Sequence, residues 1–98
     1  MPHLRWSENA VRDLIRLHDF LSSKSRDAAR RAIKAIREGA KLLSSNPQIG
    51  RPIDELPPEF REWIVEFGQG AYVLLYRYDA KAKEVVLLAV RHGREAGY

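Results

Sequence analysis

The spacing of apolar residues changes period along the chain, and each change marks an element. Over Pro2–Trp6, Leu4 and Trp6 alternate with His3 and Arg5, the two-residue period of a short strand. Ser7 then stands where a helix N-cap belongs, and Glu8 follows in the first turn, where a carboxylate favours the helix dipole. Val11, Leu14, Ile15, His18 and Leu21 recur at helical spacing, with Arg12, Asp13, Arg16 and Asp19 on the other side. His18 lies on this apolar stripe, so it is expected to be a partly buried histidine at a helix–helix contact. Ser22-Ser-Lys-Ser25 breaks the helix, and Ser25 can cap a second one. There Ala29, Ile33, Ile36, Ala40 and Leu43 step by four and three, a seam for packing along a neighbouring helix. The short connection predicts an antiparallel helical hairpin.

Pro47 ends the second helix and restricts Asn46. Residues 46–60 hold four of the five prolines and Gly50, which predicts an irregular connection pinned by Ile49 and Ile53. The period then returns to two. Arg61–Phe67, Ala71–Tyr78 and Glu84–Arg91 are rich in the β-branched and aromatic residues that suit a pleated, half-buried surface. Gly68-Gln-Gly70 reads as one hairpin turn and Asp79-Ala-Lys-Ala-Lys83 as a longer one. The predicted order is β-α-α-β-β-β: an antiparallel sheet with a helical hairpin on one face. This belongs to the α+β class, in a single domain spanning residues 1–98.

Composition narrows the picture. The 98 residues suffice for one modest core, and 45% hydrophobic with 31% charged residues is a globular balance. No apolar run is long enough for a membrane span, and Met1-Pro-His-Leu-Arg5 lacks the apolar core of a signal peptide, so a cytoplasmic location and no membrane partner are expected. With no cysteine, packing alone must hold the domain. The net charge of +4 is uneven. Residues 26–45 carry six Lys/Arg against two Asp/Glu, whereas residues 46–98 carry seven against eight. Arg30, Lys34, Arg37 and Lys41 form a basic stripe on the second helix. Such a stripe suits an acidic partner or a phosphate backbone, or is a solvated helix face.

Several chemistries lack their residues. There is no phosphate-cradling glycine loop, no His-Glu-x-x-His, and no serine-nucleophile signature. His3, His18 and His92 are far apart in sequence, and neither a metal nor a cofactor is expected. What remains is Arg61, Arg77, Arg91, His92, Arg94 and Tyr98. Metal-free RNA cleavage needs a general base, a general acid and cations for the charged phosphorane, roles that histidine, tyrosine and arginine can fill. The same groups can instead hydrogen-bond strand ends or face a partner's carboxylates.

These residues resemble the RelE/ParE superfamily of toxins from type II toxin–antitoxin systems. The resemblance spans nearly the whole chain. It runs from Leu4-Arg-Trp-Ser-Glu-Asn-Ala10 through Asn46-Pro-Gln-Ile-Gly-Arg-Pro52 and Arg61. It continues with Tyr72-Val-Leu-Leu-Tyr-Arg77 and Val85-Val-Leu-Leu-Ala-Val-Arg-His-Gly-Arg-Glu95. It implies a cognate antitoxin whose C-terminal segment wraps the toxin, with Arg30, Lys34, Arg37, Lys41 and Arg91 as candidate contacts.

Two branches imply different targets. Proteins similar to RelE cleave messenger RNA on the ribosome, and would use Arg61, Arg77, His92, Arg94 and Tyr98. Proteins similar to ParE poison DNA gyrase without chemistry of their own. The RelE branch typically lines its central strands with Lys and Arg. Here Glu62, Trp63 and Glu66 surround Arg61, and Val73 follows Tyr72 where an arginine is often found. Each missing donor would forgo about 3–4 kcal/mol of transition-state stabilisation. The ending His92–Tyr98 does resemble the RelE type, but the strands lean towards ParE. A third reading, a basic RNA-binding module, is disfavoured because the strands lack an aromatic base-stacking pair and the helices precede the sheet.

Overall fold

The computed structural model describes residues 2–68 and 70–93. The chain begins with β1 (His3–Trp6), passes through α1 (Glu8–Ser22) and α2 (Arg26–Ser45), and continues as β2 (Arg51–Pro52), β3 (Phe60–Phe67), β4 (Gly70–Asp79) and β5 (Glu84–His92). The strands form one sheet in the order β1-β5-β4-β3-β2. The helical hairpin carries the chain from one edge to the other, and the remaining strands meander back until β5 lies beside β1. That closing pair is parallel; the other pairs are antiparallel. The expected α+β arrangement is therefore present, with a parallel edge pair and a two-residue strand that the proline-rich connection concealed. Pro52 has no N–H to give, which confines it to a sheet edge.

Local chemistry sets the helix ends. Ser7 Oγ accepts from the Ala10 N–H at 3.1 Å, and Ser25 Oγ accepts from the Ala28 N–H at 3.2 Å. Each satisfies a donor that has no partner inside the helix. At the far end of α2 the Asn46 N–H donates to the Leu42 carbonyl, and Pro47 stops propagation.

The core lies between the hairpin and the inner sheet face. Ala10 and Leu17 of α1 and Ala32, Ile36, Ala40 and Leu43 of α2 meet Tyr72, Leu74, Tyr76, Val85, Leu87 and Val90. A methyl group on Gly39 would lie 2.6 Å from Val65 Cγ2, so α2 crosses β3 where only glycine leaves room. A β-bulge interrupts β5: Leu75 opposes Ala89 while Tyr76 opposes Leu87, leaving Leu88 over. Its carbonyl accepts from Asn9 Nδ2 at 2.9 Å and Ser7 Oγ at 3.4 Å. The start of α1 thus takes over the edge of β5 where β1 ends.

One helix face differs from the sequence expectation. Val11 and Ile15 are 41% and 56% exposed, and His18 is exposed as well, while Ala10, Asp13 and Leu17 are buried. Two stripes sharing Leu14 and Leu21 both have helical spacing, and the inward one is Ala10, Leu14, Leu17 and Leu21, which takes Asp13 inward with it. Likewise Ile49 is 40% exposed and does not pin the connection.

Candidate functional site

Tyr76 organises the first cluster. Its ring is fully buried, its hydroxyl donates to the Pro47 carbonyl at 2.7 Å, and it accepts from the Gly50 N–H at 3.0 Å. Arg61, opposite Tyr76 in register, donates through Nη1 to the carbonyls of Gly50 at 2.7 Å and Gln48 at 3.3 Å. A Cβ on Gly50 would stand 2.5 Å from the Tyr76 hydroxyl and 2.7 Å from the Glu62 carbonyl. Asn46–Pro52, Arg61 and Tyr76 are thus one interlocked unit that holds the connection to the sheet. Burial raises the Tyr76 pKa above the usual 10.0, against the opposing pull of the Gly50 N–H and the Arg61 charge.

Arg77 points to the sheet face away from the helices, as its register opposite Phe60 and Val86 requires, and stands 3.8 Å from Asp79. It shares an open depression with Arg61, Lys81, Glu59 and Asp79, where charges of both signs mix. His92 lies elsewhere. It opposes Tyr72 in register, with its ring edge-on to the Tyr72 ring at a centroid distance of 5.5 Å. Arg77 lies five residue steps along β4 from Tyr72, about 17 Å at the usual rise. Among the described residues Arg61 and Arg77 therefore do not converge with His92. Arg94 and Tyr98, the other two residues of that set, lie outside the described residues. The open sheet face near these positions presents Glu62, Ile64, Glu66 and Val73, and Glu62 accepts from Arg51 at 2.6 Å.

Arg91 is held internally: its Nη1 lies 2.7 Å from Oδ1 of Asp13, a side chain only 8% exposed. Sequence reasoning passed over Asp13, because an acid within an amphipathic helix is read as solvent-facing. The one available signal was its place between Ala10 and Leu17 at spacings of three and four.

Arg30, Lys34, Arg37 and Lys41 do come together. All four are exposed along α2 and line a groove of about 590 Å³ with Ile33, Arg31 and His18. Asp27 and Glu38 also line it, and Asp27 pairs with Arg31 at 3.0 Å and Arg30 at 3.5 Å. The surplus is positive, and the groove carries an apolar floor at Ile33. Arg91 does not line it. Among the described residues no group of three or more His, Asp or Glu side chains is placed to hold a metal ion, and no helix is long and apolar enough to cross a membrane.

Comparison with known proteins gives a consistent picture. The family described as "ParE toxin of type II toxin-antitoxin system, parDE" matches residues 4–97. Toxin RelE3 of Caulobacter vibrioides is 35% identical over 95 residues, covering 97% of this chain and 98% of its own. Among solved structures, the chromosomal ParDE toxin–antitoxin system from P. aeruginosa superposes with a TM-score of 0.75 at 25% identity, covering 94% of this chain and 96% of the other. The toxin–antitoxin complex RelBE2 from Mycobacterium tuberculosis gives 0.68 at 29% identity, covering 94% and 99%.

Proposed function

The chain belongs to the family of ParE toxins of type II toxin–antitoxin systems, and from that membership we propose that it arrests growth by binding DNA gyrase, without chemistry of its own. The observation that carries this reading is how Arg61, Arg77 and Arg91, the candidate arginines among the described residues, are used. Phosphorane stabilisation needs cations aimed at one point. Here Arg61 is turned onto the Gly50 and Gln48 carbonyls, Arg77 stands beside Asp79, and Arg91 is closed onto Asp13. The open sheet face adds the exposed Glu66 where an RNA backbone would meet repulsion, and Glu62 beside it takes up Arg51. A gyrase target implies a cytoplasmic site of action and requires no cofactor.

The antitoxin is proposed to meet the groove along α2. Arg30, Lys34, Arg37 and Lys41 offer charge, and Ile33 offers an apolar floor, which together suit an acidic amphipathic segment that folds as it binds. The neighbouring ParDE and RelBE2 structures, both from toxin–antitoxin systems, support such a partner.

A ribosome-dependent messenger-RNA endonuclease is the second reading, favoured by the likeness to Toxin RelE3 and RelBE2. Purified toxin tested side by side on gyrase supercoiling and on ribosome-bound message separates the two. The gyrase reading expects blocked supercoiling and intact message. Cleaved message, abolished by His92→Ala or Tyr98→Phe with antitoxin binding retained, would replace it with the endonuclease.

A further inference from the structure

Asp13 is a buried acid that the toxin reading leaves unused. It is 6% exposed and faces three groups. Its Oδ2 accepts from the Val90 backbone N–H at 2.9 Å. Its Oδ1 lies 2.7 Å from Arg91 Nη1 and 4.0 Å from Arg16 Nη2. Val90 and Arg91 are consecutive, so one carboxylate grips both the main chain and the side chain of β5 where it is about to leave the sheet. The site has a structural reason: β1 pairs β5 only as far as Leu87, and beyond that point no strand among the described residues covers the outer edge. Ser7 and Asn9 cover the Leu88 carbonyl, and Asp13 covers Val90 one turn further along α1. The next residue after Arg91 is His92, seated edge-on to Tyr72.

We propose that Asp13 is a positioning residue for toxin action: its clasp on Val90 and Arg91 fixes the direction in which the C-terminal end of β5, with His92, is presented to the target. The inference rests on the toxin reading and places the target-facing surface at this end of β5. A carboxylate bound to a peptide N–H and a guanidinium together fixes both a strand edge and a side-chain direction, which an apolar contact cannot do. The clasp ties α1 to the C-terminal end of β5.

The test uses the full chain with Asp13→Ala, Asp13→Asn, Arg91→Gln and the Asp13→Asn/Arg91→Gln pair. Amide exchange is read at Val90 against Leu74 and Tyr76, together with growth arrest, gyrase inhibition and antitoxin affinity. Asp13→Ala is expected to speed exchange at Val90 by roughly tenfold while leaving the β4 amides unchanged. Asp13→Asn keeps an acceptor for the Val90 N–H and releases Arg91 together with the more distant Arg16. It and Arg91→Gln are each expected to weaken growth arrest by roughly tenfold, with antitoxin affinity retained. The double variant is expected to be no weaker than either single, because both remove the same contact. Exchange rising equally across β4 and β5, arrest unchanged despite a released Arg91, or fully multiplicative effects would each overturn the clasp. A wild-type chain that leaves gyrase active sinks the gyrase reading alone, since growth arrest by the same variants still decides the role of Asp13.

Discussion

Tyr76 and Gly50 show how much one pair of residues can carry. The Tyr76 hydroxyl serves both the Pro47 carbonyl and the Gly50 N–H, so Tyr76→Phe leaves two polar groups without their partner. The expected cost is about 1–3 kcal/mol, read from the urea midpoint at neutral pH. Gly50→Ala places a methyl group within 2.5 Å of that hydroxyl and is expected to cost about 1–3 kcal/mol by the same measurement. Burial also gives Tyr76 a pH dependence. Its folded pKa is raised above 10.0, so below pH 10 the phenol is neutral in both states and stability is unaffected. Above that, the unfolded chain loses the proton first, and stability falls as pH rises towards the folded value. Tyr72, raised by burial in the same direction, adds to the fall. Urea unfolding between pH 9 and 11 should therefore show a steady loss that is shallower in Tyr76→Phe.

At the scale of elements, α1 does two jobs through its first two turns. Ser7 caps the helix and touches the bulge carbonyl of Leu88, while Asn9 holds that carbonyl more closely. Ser7→Ala is thus expected to cost about 1 kcal/mol of global stability, at the usual value of an N-cap, in thermal or urea unfolding. Helix α2 divides its two faces between the core and the basic groove. Ala32, Ile36, Ala40 and Leu43 meet the core, while Lys34, Arg37 and Lys41 face the groove. Reversing charge at Lys34 and Arg37 should leave the fold intact and slow antitoxin association. It should also flatten the salt dependence of the on-rate, since exposed charges steer encounters more than they hold complexes together. Unchanged kinetics across ionic strength would remove the groove from the antitoxin surface.

For the whole molecule, a toxin with one small core gains stability from its partner by mass action. With antitoxin at roughly a hundred times its dissociation constant, the unfolding free energy should rise by about 2.7 kcal/mol. A scan of melting temperature against added antitoxin measures this. Tightly induced expression of the toxin alone should arrest growth, and co-expression with the antitoxin should restore it. Normal growth with soluble, folded toxin present would contradict the assignment of toxic activity.

The chain by itself determined the order of the elements apart from the two-residue β2, the two serine caps, the seam of α2 apart from Ile33, whose place Ala32 takes, and the strands of the meander. These follow from local chemistry: hydrophobic period, hydroxyl caps and proline stops act within a few residues. It also displayed Arg61, Arg77, Arg91 and His92 as versatile polar groups, but not what each one touches. Only the tertiary structure decided that, because the deciding partners lie far along the chain. Asp13 meets Val90 and Arg91, Arg61 meets the Gly50 carbonyl, and Tyr76 meets Pro47. The fold also turns α1 so that Asp13 faces inward with Ala10 and Leu17, and Val11, Ile15 and His18 face out. The inward stripe of Ala10, Leu14, Leu17 and Leu21 is itself apolar at helical spacing, and the acid within it is accommodated by a guanidinium and a peptide N–H that become its neighbours only once β5 has joined the sheet.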